Sequence, residues 1–145
     1  MLMDVDSGAA VTHLPDRSRQ ELDEVLGRLQ QEQVARMEGK IEEWANAIGD
    51  ERTDFFASNW LTGNDWKLVA DGVFEPLYEA CVDYHENAVE YAGWMFGWLV
   101  RRVMIRVARN EEWCMYKNPE AGTDALPRSM WGTFYWRTNR RSAAN

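Results

Sequence analysis

The apolar residues of this chain recur at helical spacing in two long stretches, and that periodicity limits the fold more than any other feature. The first stripe runs Leu22, Val25, Leu26 and Leu29, then Val34, Met37, Ile41, Trp44 and Ile48. Steps of three and four residues place such side chains on one face of an α-helix. Ser18 and Glu21, three apart just ahead of Leu22, match a reciprocal cap in which hydroxyl and carboxylate each accept a free backbone amide. Gly49 closes the segment. Read as one helix from Ser18 to Ile48, it is about 45 Å long at about 1.5 Å per residue, too long for a compact domain unless a second long helix lies beside it. Its second half has a coiled-coil rhythm, while the step from Leu29 to Val34 breaks phase.

The second stretch predicts a helix from near Pro76, where a missing amide costs nothing, to about Arg109, with Asn110 as a left-handed terminator. Leu77, Cys81, Tyr84, Ala88 and Tyr91 share a face in its first half. Ala92, Met95, Phe96, Leu99, Val103 and Val107 continue the stripe on a face broad enough to be mostly buried. Gly93 and Gly97 interrupt it, each costing about 1 kcal/mol of helix propensity relative to alanine. That cost is tolerated where another backbone comes close or where the helix bends. The expectation is tight packing there, against the first helix or a neighbouring subunit, with a plain kink as the alternative.

Between the stretches, Asp50 is placed to cap a short helix through Phe55, Phe56, Trp60 and Leu61. Asn64 or Asp65 starts another turn through Trp66, Leu68 and Val69, closed by Gly72. The first fourteen residues lack periodicity and read as a flexible arm, ordered only if something holds it. After a turn-rich stretch from Lys117 to Pro127, the run from Met130 to Trp136 is rich in strand formers but too short for a sheet of its own. It is expected to lie extended against the helices or to add to a partner's edge. The predicted class is therefore mainly α: a long antiparallel helical hairpin or small helical bundle with short connecting helices and an extended aromatic C-terminal segment. The division is a flexible arm at 1–14, a helical domain at 15–127 and an aromatic, basic segment at 128–145.

At 145 residues the chain fits one domain, which buries about two-thirds of its unfolded surface and needs no disulfide staple. Cys81 and Cys114 are its only cysteines, and the start lacks a basic and apolar leader. Both features predict a cytoplasmic protein with free thiols. The longest apolar run, Tyr91 to Val100, is ten residues, against the roughly 20 needed to span a bilayer. No membrane association is expected.

Charge divides the chain. Residues 1–90 hold 20 acidic and 7 basic side chains, and residues 91–145 hold 4 and 9. Such a polarity either folds back on itself or faces a partner. Arg102, Arg106 and Arg109 share one helical side with Arg101 adjacent and Trp98 and Trp113 flanking. Guanidinium groups among indoles can pair internally with Glu38, Glu42 and Glu43, meet an acidic protein, or grip nucleic acid. The net charge of −8 opposes the last. All 18 aromatic residues lie between Trp44 and Trp136, a density that suggests more apolar surface than one small core consumes.

Catalytic and cofactor patterns are missing from the sequence. The histidines, His13 and His85, have no Glu three positions before them, as a di-iron bundle requires. Cys81 and His85 are four apart and form half a zinc site at most, with Cys114 a conceivable third ligand. No phosphate-binding glycine loop is present. The expected function is a non-enzymatic, acidic helical protein-interaction module, an adaptor, inhibitor or assembly subunit of the kind a phage or mobile element encodes, with no cofactor. It binds a protein partner or itself through Gly93, Trp94, Gly97, Trp98, Arg102, Arg106, Arg109, Trp131, Tyr135, Trp136 and Arg137. The alternative is nucleic-acid binding by the Arg- and Trp-rich C-terminal third.

Overall fold

A computed structural model describes residues 1–49, 56–57, 65–83, 86–127 and 131–138. The protein is mainly α, with α1 (Asp16–Leu26), α2 (Gln31–Ala47), α3 (Asp65–Leu68), a 3-10 turn (Val69–Gly72), α4 (Glu75–Val82) and α5 (Ala88–Val107). Five short strands accompany them: β1 (Leu2–Asp4), β2 (Ala10–Val11), β3 (Phe56–Ala57), β4 (Trp113–Tyr116) and β5 (Phe134–Arg137).

Neither long helix of the sequence reading is continuous, so the antiparallel hairpin is replaced by four helices. The first breaks where the stripe loses phase. Five residues on a helix turn about 140° away from the starting face, so Leu29 and Val34 pack against one core only if the chain turns between them. Gly27 ends α1, its amide donating to the Asp23 carbonyl at 2.8 Å. A reciprocal cap then starts α2, and it belongs to Gln30 and Gln33 rather than Ser18 and Glu21. Ser18 and Glu21 lie inside α1, which starts after Pro15.

The second predicted helix breaks after Val82 and restarts at Ala88. Asn87 caps the new start, its Oδ1 accepting from the Glu90 amide at 3.2 Å. Pro76 does sit in the first turn of α4. Helix α5 is the centre of the molecule, with α1, α2 and α4 all packed on it. Its buried face, Ala92, Met95, Phe96, Leu99, Val100, Val103 and Met104, is the broad stripe expected. Aromatic rings fill the space beside it: Trp66 stacks on Tyr78 at 5.9 Å, and Phe74 meets Phe96 edge-on at 5.1 Å. Of the connector, residues 50–55 and 58–64 lie outside the described residues, and Phe56–Ala57 is strand rather than helix. The turn at Asp65–Gly72 forms as anticipated. It closes with Ala70, Asp71 and Gly72 in left-handed conformations at φ 50°, 55° and 77°.

The arm predicted at the N-terminus is held. Strands β1 and β2 form an antiparallel hairpin, and β1 lies parallel to β4, with Leu2 opposite Trp113 and Asp4 opposite Met115. Leu2 and Leu14 belong to the core. Burying Leu2 stabilises the segment by roughly 2 kcal/mol, and the ladder to β4 satisfies its amides. Within the C-terminal segment Phe134–Arg137 is extended, as anticipated, but it completes this chain's own sheet. Strand β5 pairs antiparallel with β4 and β3, giving the order β2-β1-β4-β5-β3.

Candidate interaction surfaces

Arg102 and Arg106 of α5 reach across a helix seam to carboxylates of α1 and α2. Arg102 donates to Glu38 Oε2 at 3.1 Å and reaches Asp23 at 3.4 Å, while Arg106 lies 3.7 Å from Glu38 and 3.3 Å from Glu42. The arginines are four apart on α5 and the glutamates four apart on α2, so packing the two helices aligns both pairs. Internal pairing, the first of the sequence alternatives, is what these two residues do. Glu43 pairs with Lys40 on its own helix at 3.2 Å instead. Arg109 is exposed. Arg101 turns to the opposite side, its guanidinium 4.9 Å from the Trp98 ring and its Nη2 3.4 Å from Thr133 Oγ1.

Arg137 is a structural clamp. Its Nε donates to the Ile48 carbonyl at 2.9 Å, just beyond the C-terminus of α2, where a cation also complements the helix dipole. Nη1 meets Glu111 at 2.5 Å, and the guanidinium covers the Trp113 ring at 4.6 Å. Burial works to raise the Glu111 pKa, but hydrogen bonds from Trp113 and Arg137 and the Arg137 charge outweigh it and hold the carboxyl below its usual range. Tyr135 points into the core and is fully buried. Burial pushes its phenol pKa up against the opposing Arg101 charge. Trp131 is half-buried, with its indole N–H donating to the Leu126 carbonyl at 2.8 Å.

Gly93 and Gly97 do not mark a close helix crossing among the described residues. A Cβ at either position would have no atom within 4 Å. Tight packing against the first helix, one form of the expectation, is therefore not what these glycines serve among the described residues. Beside them Trp94 is 52 % exposed, its ring edge-on to Tyr91, and Trp98 is partly buried beneath Arg101.

A second apolar surface was not anticipated. Side chains alternate across a sheet, so Leu2, Trp113, Met115 and Tyr135 turn to the helices and are buried. Their neighbours turn outward. Met3, Cys114 and Trp136 form one cross-strand row, and Tyr116 and Phe134 the next. All five are partly exposed, and none belongs to the core or to the apolar residues packed against it. A sheet with one free face normally alternates apolar and polar residues; here both faces are apolar. Of the residues predicted for binding, only Trp136 lies on this face. The run Trp113-Cys114-Met115-Tyr116 is apolar throughout, so no alternation in the sequence marks which of its residues face outward.

The metal reading finds no assembled site. Cys81 is in the core, Cys114 is on the outer face of β4, and His85 lies outside the described residues. Helix α4, which carries Cys81, ends at Val82. Among the described residues no group of three or more His, Cys, Asp and Glu is placed to hold a metal ion. No described helix is long and apolar enough to cross a membrane. No family model, curated protein or solved structure matches this chain.

Proposed function

We propose that this chain is a non-enzymatic, cytoplasmic protein-interaction module, acting as an adaptor, inhibitor or assembly subunit. The observation that carries this reading is Trp94, 52 % exposed on α5, together with the partly exposed Met3, Tyr116 and Trp136 on the outer sheet face. Aromatic side chains turned to the surface are enriched where proteins meet, because they bury large areas on contact. The nucleic-acid alternative is weakened because Arg102, Arg106 and Arg137 each already hold a carboxylate. A free chain of net charge −8 also repels a polyanion.

The test is capture from the native host with light scattering of the isolated protein alongside. A stoichiometric protein partner or a concentration-dependent oligomer is the expected result. A monodisperse monomer that retains nucleic acid at moderate salt, and no protein, would overturn the reading.

A further inference from the structure

Arg101 and Arg137 are built alike up to one group. Each guanidinium is partly buried and lies over an indole, Arg101 4.9 Å from the Trp98 ring and Arg137 4.6 Å from the Trp113 ring. The Glu111 carboxylate then completes Arg137, with the Ile48 carbonyl on its Nε. Arg101 has no carboxylate among the described residues. Two hydroxyls stand beside it instead: Thr133 Oγ1 lies 3.4 Å from Nη2, and the buried Tyr135 phenol is close to the same charge. Its Nε is shielded from water and meets no acceptor among the described residues. A guanidinium withdrawn from water normally takes a carboxylate to offset its lost hydration, as Arg102 takes Glu38. The surroundings leave room for one. A helical side chain leans toward the N-terminus, so Arg101 lies over the turn that holds Gly97 and Trp98. A Cβ at Gly97 would meet no atom within 4 Å, and Trp94, one turn before Trp98, is 52 % exposed. Glu90, the one acid of α5, accepts from Asn87 and sits about 16 Å away along the helix axis.

We infer that Arg101 is an anion-binding site for a partner protein, receiving one Asp or Glu carboxylate whose apolar neighbours cover Gly97 and Trp94. The inference rests on the interaction-module reading and names the chemistry of the partner. A carboxylate matches the planar guanidinium fork, and it would complete Arg101 as Glu111 completes Arg137. The net charge of −8 repels an acidic segment at long range, but that field is screened within about 8 Å at physiological salt. The ion pair acts at contact. The same repulsion is the reason that the occupant carries apolar residues: covering Trp94 adds a gain that charge alone does not supply. A second copy of the chain fits less well, because each copy brings a net charge of −8 over its whole surface. Nucleic acid would gain one guanidinium here and meet the rest of that negative field.

The probes are two synthetic peptides with capped ends, identical except for a single glutamate or glutamine between leucines. Binding is read by anisotropy of an attached dye and by the assigned Arg101 Nε–H resonance. The glutamate peptide is expected to bind about tenfold tighter than its glutamine twin and to shift that resonance. Arg101→Lys keeps the charge but loses the fork, so it should remove most of the preference. Arg36→Gln, at an exposed arginine of α2, should leave both affinities unchanged. If circular dichroism shows that Arg101→Lys fails to fold, the Arg101 resonance of the wild-type protein carries the test, and a shift with glutamine equal to that with glutamate refutes the site. Equal affinity for the two peptides, binding of neither, or a glutamate preference that survives Arg101→Lys overturns the inference. A host partner captured equally by wild type and Arg101→Lys leaves the module reading intact and refutes this site. Self-association that Arg101→Lys abolishes, with neither peptide bound, refutes the partner assigned to it.

Discussion

Replacing the α5 glycines with alanine separates an open helix face from a close helix crossing. Gly in a helix interior is about 1 kcal/mol less favourable than Ala. At Gly93 and Gly97 an added Cβ has no atom within 4 Å among the described residues, so no clash offsets that gain. The double variant Gly93→Ala/Gly97→Ala is expected to be more stable by about 1.5–2 kcal/mol. With a urea m-value of about 2 kcal/mol/M, the midpoint rises by about 0.7–1 M at unchanged m. Circular dichroism at increasing urea measures it. Other glycines calibrate the scale. Gly39 is equally open and should respond in the same direction. Gly27 should gain nothing, because its Cβ would sit 3.2 Å from the Asp23 carbonyl. Gly72→Ala should lose about 1–2 kcal/mol, because φ there is +77°. A midpoint that falls in the double variant refutes the open face and restores the close-packing reading.

Glu38→Gln should cost about 1–2 kcal/mol, since Glu38 serves two arginines and its side chain is only 18 % exposed. Glu42→Gln, at a more exposed pair, should cost under about 0.5 kcal/mol; denaturant titrations at low and high salt check both. The lowered pKa of Glu111 makes its contribution present above the unfolded carboxylate range and lost as pH falls through the folded value. Glu111→Gln should therefore flatten the acid limb of a thermal stability profile. Burial, only partly countered by Arg28, pushes the Cys81 thiol up to about 11. A thiol reagent at neutral pH should therefore modify Cys114 first and reach Cys81 only on unfolding.

The helices were legible because their signal is local and repeated. Leu22, Val25 and Leu26, then Met37 and Ile41, are buried as their spacing predicts. The breaks were half legible: the phase skip after Leu29 was visible, but a helix can also carry such a skip as a distortion, and only packing decides. Asn87 resembles any polar helix residue until its side chain is seen to cap Glu90. The sheet was illegible for a different reason. Strands of two to four residues carry too few alternations to show a period, and the β1–β4 pairing joins residues 2–4 to residues 113–115. The same limit hid the site: Tyr135 and Trp136 look alike in sequence, yet one is fully buried in the core and the other faces outward.

Exposure separates the ion pairs that hold the basic block in place. Three of its cations are paired within the fold: Arg102 with Asp23 and Glu38, Arg106 with Glu38 and Glu42, and Arg137 with Glu111. Salt screens exposed charges within about 8–10 Å and buried ones much less. The Arg106 and Glu42 side chains are 44 % and 47 % exposed, whereas Arg137 is 16 % exposed and also donates to the Ile48 carbonyl. Arg106→Gln should therefore cost stability at low salt and little at high salt, while Arg137→Gln should cost it at both, as denaturant titrations at two ionic strengths would show. Equal salt dependence of the two variants refutes the reading of Arg137 as a clamp.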